Sequence, residues 1–140
     1  MSTKDSDRIE SSGATEATAK LSELRALDHR HGAGVAFPEV MTYLRAELRH
    51  LEKSEPRTAM SLLDLAAYEA VDLRADATAQ ALYEQTLMIA IRSGSRSQGA
   101  HVVASLAYLA MQSGQSSAAL PLIGAAIQGS PSATHSEIAG

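Results

Sequence analysis

Apolar residues return every three to four positions along most of this chain, the period of a helix face, and no stretch reads as a strand. Ala17, Leu21, Leu24 and Leu27 trace the first such face, predicting a helix over Thr15–Asp28. Before it, Met1–Ala14 is polar and aperiodic and predicts a disordered tail. DHRHGAG at 28–34 breaks the pattern, with Gly32 placed as a left-handed cap. Phe37-Pro38 opens a second helix with Pro38 in its first turn, followed by a stripe of Val40, Leu44, Leu48 and Leu51. A third helix is predicted near Arg57–Leu73, carrying Met60, Leu63, Ala67, Ala70 and Val71. A fourth runs near Ala77–Arg92, with Asp76 as N-cap, Leu82, Tyr83, Leu87 and Ile91 inside and Gly94 at its end. A fifth spans Gln98–Ser113 and stops at Gly114. A sixth spans Ser116–Gln128, with Pro121 early enough to be tolerated, and closes at Gly129–Pro131.

The stretch Ser61–Pro131 repeats itself. Ala67 and Ala107, Tyr68 and Tyr108, Ala70 and Ala110, Ala79 and Ala119, and Leu82 and Leu122 are each 40 apart. A period of this size marks stacked supersecondary units. The second copy carries most of a tetratricopeptide pattern: small Ala107, turn glycine Gly114, small Ala119 and Ala126, closing Pro131. The first copy departs from it, with Arg74 for the turn glycine and Thr86 for the last small residue. Small residues mark where antiparallel helices approach closely, and Tyr83 and Ile123 fill the space beyond.

Composition narrows the class. The chain has 140 residues, enough for one domain with a real core, and the predicted boundaries are a tail over 1–14, a helical domain over 15–131 and a tail over 132–140. A net charge of −4 gives no electrostatic support to direct nucleic-acid binding. Arg45, Arg49, Lys53 and Arg57 are interleaved with Glu47, Glu52 and Glu55 and read as a solvated face. With no cysteine there is neither a disulfide framework nor thiolate-bound zinc. The polar first residues are unlike a secretory signal, and the apolar run around Val102–Met111 is too short for a bilayer. A cytoplasmic location with no membrane contact is the expectation. From Ser97 to Ser136 there is no Asp, Glu, Lys or Arg, so the last helix pair is expected to be covered by a further repeat or a second chain.

Catalytic chemistry finds little to stand on. Asp28, His29 and His31 are the one close carboxylate–imidazole set, without a third ligand at useful spacing, and read as a solvated helix end. No metalloprotease, nucleophile-elbow, P-loop or dinucleotide motif occurs. Ser95-Arg96-Ser97 reads as a plain turn before an anion site, and His101 as a core or interface residue. No catalytic residue, metal or cofactor is therefore expected. The tyrosines differ: Tyr68 and Tyr108 stand at equivalent places beside the small-residue line, where a superhelix would present them to a peptide, with Asp72 and Gln112 one turn on.

The order LRALDHRHGAG, PEVMTYLRAELRHL and LLDLAAYEAVDLRADATAQALYEQTLMIAIRSGSRSQGAHVVASLAYLAMQSGQSSAALPLIGAAI resembles the tetratricopeptide-like C-terminal region of bacterial helix-turn-helix (XRE-type) transcriptional regulators. Leu27-Asp28 to Gly34 is similar to the segment that precedes their helix pairs, and Gly94–Gly99 to their turn between units. The polar Met1–Lys20 holds no helix-turn-helix, so the resemblance implies the sensing half of a regulator without its DNA-reading half. The sequence thus predicts an all-α, tetratricopeptide-like right-handed solenoid of about three helix hairpins. Its expected function is non-enzymatic binding of a protein or peptide partner in a transcription-regulatory system, with Tyr68, Asp72, Tyr108 and Gln112 as contacts. Homodimerisation or an adaptor role through the uncharged last pair is the alternative, and direct nucleic-acid binding ranks below both.

Overall fold

The computed structural model describes the backbone of residues 3–113 and the side chains of residues 16–113. Over that range the chain is all-α: α1 (Thr3–His31), α2 (Ala33–Ser54), α3 (Pro56–Asp72), α4 (Asp76–Ser93) and α5 (Arg96–Gln112). Each helix packs on the next, and α1 also touches α3. The predicted sixth helix, Gly114, Pro121, the 79/119 and 82/122 matches and the 132–140 tail lie outside the described residues.

α3 is the hub. Its two apolar ridges bury Ala59, Met60, Leu62, Leu63, Ala66, Ala67 and Ala70, and four of those seven are alanines with no accessible surface. Alanine there lets neighbouring backbones close in, while Leu24, Leu44, Leu62, Leu63 and Val102 supply the volume. On α4, Ala79 and Ala90 serve the same end, and Tyr83 fills the gap as expected, only 7% exposed. Thr86 is also buried, and its hydroxyl donates to the Leu82 carbonyl at 2.9 Å, so that hydroxyl is not stranded.

The period of forty is physical. α3 and α5 begin and end forty residues apart, and their C-caps share one geometry, Leu73 at φ −85°, ψ 5° and Ser113 at φ −84°, ψ 4°. Residues 62/102, 63/103, 66/106, 67/107, 69/109 and 70/110 are buried in both, and Tyr68 and Tyr108 are exposed in both. α4 ends in a Schellman arrangement. Gly94 is left-handed at φ 71°, ψ 22°, with Ser95 N–H donating to the Ala90 carbonyl and Gly94 N–H to that of Ile91. The α3–α4 turn has the same bonds, Ala75 N–H to Ala70 and Arg74 N–H to Val71, but puts Arg74 at φ +62°.

Several local expectations are corrected. α1 runs on to His31 and back to Thr3, through the stretch that the sequence reads as tail. Gly32 is not a left-handed cap: at φ 82°, ψ 175° it occupies a region nearly closed to other residues and starts α2. Because α2 begins at Ala33, Pro38 sits in its second turn, where it removes a donor from the helix ladder. Asp76 is the first helical residue and not an N-cap. Its carboxylate accepts from the Ser113 hydroxyl at 3.0 Å and ties the start of α4 to the end of α5. Ile91 is 65% exposed instead of buried, because the inward positions of that turn are Ile89 and Ala90.

Candidate functional site

Two hollows lie side by side where α3 meets α5. The first, of about 340 Å³, is lined from α3 by Tyr68 and Val71, from α4 by Tyr83, and from α5 by His101, Ala104, Ser105, Tyr108, Leu109 and Gln112. The second, of about 370 Å³, is lined by Arg25 of α1, Ser61 and Asp64 of α3, and Ser97, Gln98 and His101 of α5. His101 belongs to both. The first helices of successive hairpins thus supply almost every lining side chain.

The repeat explains why the tyrosines meet. Tyr68 and Tyr108 occupy the same turn of equivalent helices, 58% and 63% exposed, each between buried alanine and glutamate or leucine neighbours. Gln112 Nε2 donates to the Tyr108 hydroxyl at 2.9 Å across one helical turn. Three of the four sequence-predicted contacts therefore line one hollow. Asp72 does not. It is exposed at the end of α3, and its charge acts on Glu69.

Two groups that the sequence placed elsewhere complete this face. Tyr83, assigned to packing alone, brings its ring to the floor of the hollow. Its hydroxyl pKa is raised by burial first and then by the charge of Asp64, while Ser105 opposes the shift. His101, expected in a core or interface, is exposed, and its Nε2 stands 3.5 Å from Asp64 Oδ1. That contact links α3 to α5 directly. The signal for His101 was its helical register with Ala104, Ser105 and Tyr108 on α5, whereas Tyr83 carried none, because its place depends on how α4 packs on α3 and α5.

A third group is buried beside this face. Glu69 has no accessible surface, and among the described residues neither carboxyl oxygen has a hydrogen-bond partner. Its pKa is pushed up from 4.5 to about 8, by burial first, then by the neighbouring Asp28 carboxyl, which carries a like charge, then by Asp72. The equivalent position in α5 is Leu109, so an acid replaces the leucine of the repeat. The sequence held that signal, because position 69 falls on the buried ridge with 62 and 66 and is forty before a leucine.

The remaining candidates stay apart. Asp28 is half-buried towards Glu69, whereas His29 and His31 point to solvent, and no three metal-ligating side chains converge among the described residues. Arg45, Arg49, Lys53 and Arg57 are all exposed. Among the described residues no helix is long and apolar enough to cross a membrane.

The face is thus a shallow, aromatic, hydrogen-bonding surface contributed by repeated helices. No family model matches the chain, and neither curated proteins nor solved structures gave a match.

Proposed function

We propose that this protein is a non-enzymatic module that binds a protein or peptide partner along the face formed by α1, α3 and α5. In this reading the helices form a short right-handed solenoid of tetratricopeptide type, and the module is the sensing part of a bacterial transcription-regulatory system. One observation carries the binding role: Tyr68 and Tyr108, forty residues apart, are both more than half exposed and share one hollow with Gln112. Aromatic rings with a polar tip are the residues that binding surfaces favour, and a core would have covered them. Asp72, outside this hollow at the exposed end of α3, is kept in this reading as a further contact.

The test is co-purification from the native cell with four versions of the protein. A partner should be recovered with the wild type and with Glu84→Ala, an exposed position on α4, but lost with Tyr68→Ala and Tyr108→Ala. Recovery that is indifferent to both tyrosines refutes the assignment of this face.

A second reading, self-association or adaptor binding through the uncharged C-terminal helix pair, is favoured by the exposure of Met111 on α5, at 60%. Light scattering separates the two. A strict monomer at high concentration removes the homodimer.

A further inference from the structure

We propose that the hollow between α3 and α5 is an aromatic site for a cation, occupied by an arginine side chain of the partner polypeptide, with Asp64 as its counter-charge. This rests on the reading of the α1–α3–α5 face as a partner groove and adds the chemistry of the residue that enters it. Three of the chain's four tyrosines, Tyr68, Tyr83 and Tyr108, line this one hollow. Aromatic faces carry negative quadrupole potential and attract a cation placed within about 6 Å of the ring centre. The lining contains no lysine or arginine of its own. Its volume of about 340 Å³ leaves room for one long side chain.

The electrostatics agree. Asp64 lines the adjacent hollow, its Oδ1 3.5 Å from the His101 imidazole that the two hollows share. Its charge reaches the floor of the hollow, where it raises the pKa of the Tyr83 hydroxyl behind the effect of burial. Among the described residues, that imidazole is the one basic group within ion-pairing distance of Asp64. Arg25 flanks Asp64 in the adjacent hollow without closing such a pair. A flat guanidinium stacks on a tyrosine ring and offers a fork of donors to a carboxylate, and a compact ammonium does neither. A leucine in the same place would cover the Tyr83 hydroxyl, His101 and Gln112 without giving them partners. A glutamate would meet the ring faces and Asp64 with the wrong sign.

The experiment uses the full chain with carbon-13-labelled tyrosine rings, followed by NMR. The probes are short capped alanine peptides that differ in one central residue: arginine, lysine, leucine or glutamate. The arginine peptide should shift the rings of Tyr68, Tyr83 and Tyr108 and bind about tenfold tighter than the leucine peptide. Asp64→Asn and Tyr108→Leu, both at solvent-accessible positions and checked for helical content, should each remove most of that preference. Arg25→Ala should tighten binding by relieving repulsion. If the leucine peptide shifts the same rings as tightly or more so, arginine is the wrong occupant while the groove stands. If no peptide shifts any ring, or Asp64→Asn leaves arginine binding unchanged, the assignment falls, and the tyrosine dependence of partner recovery judges the groove separately.

Discussion

Glu69 should make this protein less stable as pH rises through neutrality, and replacing it should cure the effect. In the fold its carboxyl holds its proton to about pH 8, whereas in the unfolded chain it releases it near 4.5. Between these values the unfolded state binds about one proton fewer than the native state. Stability therefore falls by about 1.4 kcal/mol per pH unit over that window, levels off above it, and carries no such cost below it. By pH 7 the accumulated loss is about 3 kcal/mol, by pH 8 about 4 kcal/mol, and the plateau above that is about 5 kcal/mol. The side chain has no accessible surface but lies close enough to the protein's edge for solvent to screen part of the cost, so these figures are upper bounds. Asp28 and Asp72 are the charged groups that deepen the shift, both acidic, which is why no ion pair offsets the cost.

Glu69→Gln keeps the shape and removes the titration. Near pH 4.5 it should match the wild type, since both then bury an uncharged polar group. At pH 8 it should be more stable by several kcal/mol. Glu69→Leu, which installs the residue that α5 carries at the equivalent place, should be the most stable of the three at pH 7 and share the flat profile. Urea denaturation followed by far-UV circular dichroism, repeated from pH 4.5 to 8.5, reads all three directly. The other acids titrate alike in every variant, so the difference between wild type and Glu69→Gln isolates this carboxyl. Parallel pH profiles for those two proteins would refute the reasoning, as would a Glu69→Leu variant less stable than wild type at pH 7.

Other substitutions probe the helix series and its exposed face. Arg74→Gly should stabilise the protein by about 1 kcal/mol, because a side chain at φ +62° strains the turn that Gly94 makes without cost; the midpoint of urea unfolding checks it. Ala67→Leu should destabilise by about 1–3 kcal/mol by forcing bulk into a line of close helix approach, read by the same unfolding midpoint. Leu63→Ala should cost about 2–5 kcal/mol at the centre of the core. Tyr68→Ala and Tyr108→Ala should leave the thermal midpoint nearly unchanged, within about 0.5 kcal/mol, since a surface ring contributes to binding and not to folding. A large loss of stability in either would reassign that tyrosine to packing.

What the sequence discloses here is set by the range of the interaction that leaves each mark. Helices α2 to α5 fall within a few residues of their predicted limits, because each rests on a local apolar period and most on a local stop signal. The equivalence of α3 and α5 was legible for the same reason, and it placed Tyr68 and Tyr108 on matching turns before any contact was known. Expectations failed where geometry depends on what lies across a gap. The exposure of Ile91 follows from which side of α4 faces α3, and no single-helix period decides that when apolar residues occupy several faces.

Glu69, Tyr83 and Asp64 carry the argument further, because each acquires its properties from a different helix. Asp28 of α1 raises the pKa of Glu69, Asp64 of α3 acts on the Tyr83 hydroxyl of α4, and His101 of α5 reaches back to Asp64. Pairings between different helices leave no trace in composition or spacing, but they do leave one in the repeat: a position where the second copy breaks the chemistry of the first. Glu69 against Leu109 and Asp64 against Ala104 are two such breaks on one helix pair. Packing alone would be served by an apolar residue at position 69, and a polar solvent face by any hydrophile at 64. Of the two, only Asp64 gives the exposed face a negative charge; Glu69, buried and holding its proton to about pH 8, adds none at neutrality.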